Sequence, residues 1–275
     1  MCIVAIAWQL FDELPLVLLS NRDEFLQRPT EPLHQWADMP IYAGRDSQSG
    51  GTWLGIHQEL HSDFHQQNGR WAAVLNFRDG VLARPDERSR GELVTGFLTS
   101  ELSPMAFARQ IGLQDYAGFN LIIGDSQQAV MVNNRGHAPT PLYAGLHVIS
   151  NGQPEDCWFK TEKLRGRLRQ EVLPLIAENT SPEYWQQAAF TVLSDNTQAP
   201  ADRLPDTGMT TEIEQTLSSV YIKPIAFGNM TDNVPTYGTR TQSILMLHKD
   251  KDSDKGSAIT AEIISREFDT RSSQT

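Results

Sequence analysis

The second residue of the chain is a cysteine, and that position gives it chemistry that an internal cysteine lacks. Removal of the initiator methionine, a common event before a small residue, would leave Cys2 with both a thiol and a free α-amine. A thiol has an ordinary pKa of about 8.5 and an α-amine one of about 7.7–8.0. One residue would therefore supply a nucleophile and a base for attack on a carbonyl at neutral pH. The alternative is that Cys2 is a small buried hydrophobe, as free cysteines commonly are.

A cluster of four polar residues follows the second apolar run of the chain. Residues 2–8 and 16–20 are two apolar, β-prone runs, and residues 11–15 between them suit a hairpin loop. The second run leads into Asn21-Arg22-Asp23-Glu24. Because the end of the second strand of a hairpin lies beside the start of the first, we expect these four residues to lie close to Cys2.

Residues with complementary chemistry recur at the ends of other apolar strands. The set that stands at or near such ends is Cys2, Arg22, Asp23, Asn76, Asn151 and Arg240. A carboxylate such as Asp23 would orient the α-amine, and asparagine amides suit a developing oxyanion. A nearby guanidinium would favour the thiolate over the thiol and could bind an anionic substrate group. Each has a structural alternative: Arg22 and Asp23 as an ion pair that holds the fold, and Asn151 as a turn residue.

The elements that would position these residues come in segregated blocks. Strands are predicted at residues 2–8, 16–20, 41–46, 50–56, 71–77, 118–124, 129–133, 142–144, 146–150, 220–227, 238–248 and 258–266. Helices are predicted after a capping box at Ser89-Arg90-Gly91-Glu92, and at residues 103–110, 156–172 and 182–192. Residues 27–39 are Pro-rich and predicted to be irregular. This order predicts α+β architecture in one domain over residues 1–275, with helix layers covering antiparallel sheets and a frayed tail at 270–275.

Three histidines raise the question of a metal or haem contact. His57, His61 and His65 are spaced by four residues, which would stack them on one face of a helix. The segment around them is rich in Gln and Asn and has no apolar stripe, so we interpret it as a solvated loop and predict no metal site.

Composition and charge narrow the classes of partner. The chain of 275 residues has a net charge of −11, which argues against a nucleic-acid or anionic-membrane surface but allows a small anionic substrate held by buried arginines. With two cysteines the chain is not expected to depend on a scaffold of disulfide bonds, and this low number is typical of proteins in a reducing compartment. The sequence shows no secretion signal and no apolar run of the roughly 18 residues that a membrane span needs. We therefore predict a cytoplasmic protein with a small-molecule substrate or cargo, while its oligomeric state stays open.

Several short motifs together resemble a known family. The Met-Cys start followed by Asn21-Arg22-Asp23-Glu24 resembles the NRDE family, whose eukaryotic members are called transport and Golgi organization protein 2. Further segments that look like that family are Gly50-Gly51-Thr52-Trp53-Leu54-Gly55, Asn76, Ile149-Ser150-Asn151 and Tyr237-Gly238-Thr239-Arg240. The resemblance runs from residue 1 to about residue 265. Each motif alone is weak, and their combination is specific.

The NRDE family in turn resembles the cysteine N-terminal-nucleophile hydrolases, such as penicillin V acylase and bile salt hydrolase. This resemblance implies a four-layer αββα sandwich of two antiparallel sheets covered by helices. It also implies roles for matching residues: Cys2 as nucleophile and base, Arg22 and Asp23 as its orienting pair, Asn151 as oxyanion donor, Arg240 beside the nucleophile, and Asn76, Asn21 and Trp53 as substrate or oxyanion contacts.

Two functions are compatible with these expectations. The first is hydrolysis of an amide or an acyl ester or thioester of a small molecule, with Cys2 as nucleophile and no cofactor. The second is a non-catalytic carrier on the same scaffold, for which the eukaryotic relatives suggest haem or an acyl lipid as cargo.

Overall fold

The computed structural model describes residues 2–59, 69–81, 83–226, 235–249 and 259–268. Its strands are β1 (Cys2–Trp8), β2 (Leu16–Phe25), β3 (Thr30–Gln35), β4 (Ile41–Asp46), β5 (Leu54–His57), β6 (Trp71–Asn76), β7 (Phe119–Gly124), β8 (Ala129–Asn133), β9 (Thr140–Pro141), β10 (Gly145–Ile149), β11 (Ile225–Ala226), β12 (Thr236–Lys249) and β13 (Ile259–Glu267). Its helices are α1 (Gly91–Leu98), α2 (Pro104–Gln110), α3 (Phe159–Glu171), α4 (Leu173–Ala177), α5 (Pro182–Leu193) and α6 (Thr211–Thr216).

The strands form two antiparallel sheets, so the predicted α+β class is confirmed. Within the described residues, one sheet has the order β10-β1-β2-β12-β11, with β13 added on β12. The other runs from β3 to β9 in chain order. None of the helices in these ranges has both the length and the hydropathy that crossing a bilayer requires.

Among the described residues, three of the hydrophobic clusters lie between the layers of the fold. The first lies between the sheets, where Trp8 of β1 meets Trp71 of β6 with ring centroids 6.2 Å apart. The second lies between the sheet of β1 and helices α3 and α5, and includes Leu164 and Phe190. The third lies between the sheet of β6 and helices α1 and α2, and includes Phe97. The two sheets therefore form a sandwich with helices packed on both outer faces.

Strand β1 is buried on both faces, which explains its unbroken apolar sequence. All seven of its residues are buried, and it pairs with β2 on one side and β10 on the other. Because side chains alternate along a strand, Ile3 and Ala5 face the helices while Cys2 and Val4 face the opposite sheet. The first strand thus directs Cys2 into the space between the sheets.

Strand β2 is five residues longer than the sequence predicts. We expected it to end at residue 20, but it continues to Phe25 because β12 pairs with it along that whole length. The segment Asn21-Arg22-Asp23-Glu24 therefore lies inside a central strand instead of in a loop after it. Polar residues in this segment led us to expect the end of the strand. In the structure Asn21 donates to carbonyl oxygens of the helical layer, and Asp23 accepts a hydrogen bond from Thr239 of the partner strand.

Other segments also differ from the sequence prediction. Residues 27–39 contain β3, which pairs with β4 at the edge of its sheet. The predicted capping box is wrong, because Arg90 occupies the N-cap position and the Glu92 carboxylate pairs with Arg88. His57 lies in β5 with its Nδ1 2.8 Å from the Leu98 carbonyl oxygen. His61, His65 and the tail at 270–275 lie outside the described residues.

Two glycines allow the backbone segment before β5 to pack closely against the start of α1. A Cβ on Gly51 would lie 2.7 Å from the carbonyl carbon of Gly91, the first residue of α1. Such a distance between a side chain and backbone requires one segment to move. The close approach of Gly51 to Gly91 therefore fixes where α1 begins.

We expect Gly51→Ala to lower the free energy of unfolding by about 1–3 kcal/mol, because it overpacks this contact. Gly166→Ala is the matched control, since a Cβ at Gly166 in α3 meets no atom within 4 Å. That change should raise stability by about 0.5–1 kcal/mol through helix propensity. Urea unfolding of both variants measures the difference, and equal effects of the two changes would contradict the described contact.

Candidate active site

A cavity of about 430 Å³ opens where β1 begins and β6 ends. Five of the residues predicted from the sequence line it, namely Cys2, Arg22, Asp23, Trp53 and Asn76. The chain before α1, from residue 83 to residue 91, forms much of one wall. Most of the predicted constellation thus meets in one place.

Cys2 and Arg22 are direct partners in the antiparallel ladder between β1 and β2. Opposite residues of such a pair have neighbouring side chains on the same face of the sheet. The Arg22 guanidinium stacks on the Trp53 ring at 4.2 Å from its centroid, and its Nη2 lies 3.5 Å from Asp46 Oδ2. Stacking and pairing together hold a positive charge beside the thiol.

In this environment the Cys2 thiol is protonated, and therefore uncharged, at neutral pH. Burial raises the pKa of the Cys2 thiol, and the charge of Asp23 acts in the same direction. A hydrogen bond from the Asp23 backbone and the charge of Arg22 lower the same pKa without reversing the shift. Nucleophilic attack by Cys2 therefore needs a base that takes the thiol proton.

Asp23 is a buried carboxylate next to the Cys2–Arg22 pair. The Thr239 hydroxyl donates to Asp23 Oδ1 at 2.6 Å and accepts a hydrogen bond from the Ile222 backbone N–H at 2.8 Å. Burial raises the pKa of Asp23 to about 6, while the charge of Lys160 and the bond from Thr239 lower it. Asp23 is therefore ionised at neutral pH but close to the point of taking up a proton.

A buried lysine that the sequence analysis missed lies near this carboxylate. Lys160, in the first turn of α3, is 2% exposed, and its Nζ lies 3.4 Å from Asn151 Oδ1. Burial lowers the pKa of Lys160 to about 8, and the charge of Asp23 raises it. A signal was present in the sequence, because Lys160 shares the four-residue spacing of Leu164 and Leu168 on the buried face of the helix.

Asn151 does not line the cavity, but it links the two sheets next to it. It follows β10 of one sheet, and its Nδ2 donates to the carbonyl oxygen of Asn76, the last residue of β6 in the other sheet, at 2.8 Å. This bond uses one of the two N–H groups of the Asn151 amide. The side-chain amide of Asn76 makes no hydrogen bond to any residue that the structure describes, so its donors are available at the cavity wall.

Besides Asn151, two other predicted site residues do not line the cavity. Arg240 is the extra residue at the bulge where the register of β12 shifts against β2, and its Nη1 donates to the carbonyl oxygens of Leu26 and Arg28 at 2.8 and 2.6 Å. Asn21 faces the helical layer, where its Nδ2 donates to the carbonyl oxygens of Leu193 and Val220. Arg240 stabilises the turn after β2, and Asn21 joins β2 to the helices.

Comparison with known proteins gives one family over nearly the whole chain. The family model described as "Transport and Golgi organisation 2" matches residues 1–255. The mouse protein named "Transport and Golgi organization 2 homolog" is 29% identical over 84% of this chain and 82% of its own length. The human homologue is 29% identical over 86% of this chain and 83% of its own length, and the Drosophila melanogaster protein is 33% identical over 46% of this chain and 47% of its own.

The raised pKa of Asp23 leads to a pH-dependent difference between the wild type and Asp23→Asn. The folded protein binds the Asp23 proton more tightly than the unfolded chain, whose value is 3.8. The stabilising contribution is therefore complete below pH 3.8 and is lost as the pH rises through about 6. We expect the wild type to lose roughly 3 kcal/mol of unfolding free energy relative to Asp23→Asn across this window. Urea titrations of both proteins from pH 4 to pH 7.5 measure it, and parallel pH curves would contradict the burial of this charge.

Proposed function

The chain belongs to the transport and Golgi organisation 2 family, and we propose that it is a hydrolase whose nucleophile is the thiol of Cys2 after removal of Met1. The bond it cleaves is an amide or an acyl ester or thioester of a small molecule. The observation that carries the proposal is the pairing of Cys2 with Arg22 at the wall of a cavity that Asp23 also lines.

In the first half of the reaction the α-amine of Cys2 takes the thiol proton, and the sulfur attacks the carbonyl carbon of the substrate. A carbon–sulfur bond forms, and negative charge develops on the carbonyl oxygen. The Asn76 amide, at the cavity wall, is the donor suited to this charge. Asn151 holds the end of β6 through the Asn76 carbonyl oxygen, and Lys160 donates to Asn151 Oδ1. The protonated amine then gives its proton to the leaving nitrogen, oxygen or sulfur as that bond breaks.

In the second half the enzyme releases the acyl group. The α-amine takes a proton from water, and the oxygen of that water attacks the thioester carbon. The carbon–sulfur bond breaks, the acid leaves, and the proton returns to the sulfur. Throughout both halves the Asp23 carboxylate holds and polarises the amine, since it lies one residue beyond Arg22 in the strand that pairs with Cys2.

The fold supports the same proposal. A sandwich of two antiparallel sheets with helices packed on both outer faces is the layer order of N-terminal-nucleophile hydrolases, and the nucleophile in the proposal begins the central strand. The carrier alternative needs no nucleophile. Among the described residues that line the cavity, Cys2 has the one side chain of a type that binds haem iron.

We expect the purified protein to lack Met1 and Cys2 to be alkylated by iodoacetamide much faster than Cys157, the other free and more exposed cysteine. The reason is that the α-amine supplies the base that a buried neutral thiol needs. Intact-mass spectrometry over time measures both events, with Cys157→Ala as the control that leaves Cys2 as the single thiol. With p-nitrophenyl acetate as acyl donor, Cys2→Ala should abolish the nitrophenolate burst and Cys157→Ala should keep it.

Retention of Met1 together with a Cys2 that reacts no faster than Cys157 would contradict the hydrolase. A saturable haem spectrum that is lost in Cys2→Ala would then support the carrier. A nitrophenolate burst of equal size in Cys2→Ala would also contradict the assignment of the nucleophile.

A further inference from the structure

The cavity next to Cys2 is unusually rich in arginine for a chain with a net charge of −11. Five arginines line it: Arg22, Arg28, Arg84, Arg88 and Arg90. Four of them form ion pairs with carboxylates, so each of these four positive charges lies next to a negative charge.

Two of these arginines share the same acids at the end of β2. Arg28 Nε lies 2.6 Å from Asp46 Oδ2, and Arg22 Nη2 lies 3.5 Å from the same oxygen. Glu24 is the second acid within reach of both guanidinium groups, at 3.8 Å from Arg22 and 3.9 Å from Arg28. The positive charges of the two arginines are therefore balanced by the negative charges of Asp46 and Glu24.

Two more arginines pair locally in the chain before and within α1. Arg84 Nε lies 3.5 Å from Glu87 Oε1, and Arg88 Nη2 lies 2.8 Å from Glu92 Oε2. Both side chains belong to exposed residues, so water also solvates them.

Arg90 is different because it is partly buried and pairs with no carboxylate in the part of the chain that the structure describes. Its one side-chain hydrogen bond there runs from Nη1 to the Gly118 carbonyl oxygen at 3.1 Å. A guanidinium has five N–H donors, so most of its capacity is unused. Burial lowers the pKa of Arg90, and the charge of Glu24 raises it. Arg90 lines the same cavity as Cys2.

The backbone around Arg90 is held in place. Arg90 immediately precedes α1, where a Cβ on Gly51 would clash with the backbone of Gly91, and a Cβ on Gly91 would lie only 3.0 Å from the backbone nitrogen of Thr52. A guanidinium on such a fixed backbone is suited to bind a planar or tetrahedral anion through two parallel hydrogen bonds.

We propose that the substrate of this cavity carries an anionic group, a carboxylate or a phosphate, and that Arg90 is the residue that binds it. This inference rests on the proposed function, because it names the class of acyl compound that Cys2 attacks. The reacting carbonyl would lie at Cys2 and the anion at Arg90, on the wall formed by residues 83–91.

The test measures anion binding in two ways, one of which does not depend on a reactive Cys2. First, glutarate and phenyl phosphate are titrated in a thermal-unfolding assay, because a ligand of the folded state raises the melting temperature. Second, both anions are titrated against alkylation of Cys2 by the neutral reagent iodoacetamide, in which sulfur displaces iodide from carbon. Ionic strength is held constant with sodium chloride so that screening does not change.

We expect saturable protection by at least one anion in the wild type, and the stronger of the two identifies the group as carboxylate or phosphate. Arg90→Gln should weaken that anion at least about tenfold in both assays, which is the loss of one charge-assisted contact. Arg88→Gln is the matched control, because it removes the same charge from the same wall but from a guanidinium that already pairs with Glu92. It should leave the affinity within about twofold.

The two proposals fail in distinguishable ways. A Cys2 that iodoacetamide does not label, in a protein whose melting temperature still rises with the anion in an Arg90-dependent way, would contradict the hydrolase and keep the anion site. A reactive Cys2 with no anion effect, or with equal losses in Arg90→Gln and Arg88→Gln, would overturn the anion site and keep the hydrolase.

Discussion

The structure depends on the burial of its first strand between two neighbours. Strand β1 pairs with β2 and β10 and is covered on both faces, so the beginning of the chain lies in the centre of a sheet instead of at its surface. That position fixes Cys2 opposite Arg22, and it fixes the carbonyl oxygen of Cys2 at 3.0 Å from the Ser150 hydroxyl. A residue so near the start of a chain would ordinarily fray. Here the pairing with Arg22 on one side and the hydrogen bond from the Ser150 hydroxyl on the other hold Cys2 as a core residue is held, which suits the role of nucleophile proposed for it.

Holding polar groups around that strand requires a network, because buried charges and amides are costly without partners. Asp23 receives a hydrogen bond from Thr239, and Lys160 donates to Asn151, which in turn reaches across to the other sheet. Burial raises the pKa of Asp23 to about 6 and lowers the pKa of Lys160 to about 8, so both values lie close to neutral pH. Groups of this kind change charge with little driving force, so this buried region is suited to proton transfer.

The sequence alone was sufficient to predict the features of the fold and the site that depend on local residue patterns or on several motifs taken together. The apolar run of β1, the α+β class and the meeting of Cys2, Arg22 and Asp23 follow from hairpin geometry and strand alternation. It did not predict that β2 continues to Phe25, because that depends on pairing with β12, more than two hundred residues later. For the same reason the direction of Asn21 toward the helices, and the use of Arg240 at a bulge, could not be inferred from their places at the ends of apolar runs. Lys160 was visible in principle, since a lysine on the apolar face of a helix must find a buried partner.

The arrangement of charge in the cavity also explains how an acidic protein could use an anionic substrate. A net charge of −11 repels anions at a distance, but at about 0.1 M salt this field is screened beyond roughly 10 Å, so the local groups decide binding. Around Cys2 the acids Asp46 and Glu24 are already engaged by Arg22 and Arg28, which leaves those arginines as fixed structural charges. Arg90 is placed outside that pairing, with a carbonyl oxygen as its described partner. Selectivity for an anion would then come from one guanidinium that forms no ion pair with a carboxylate among the described residues, and the paired arginines would shape the cavity around it.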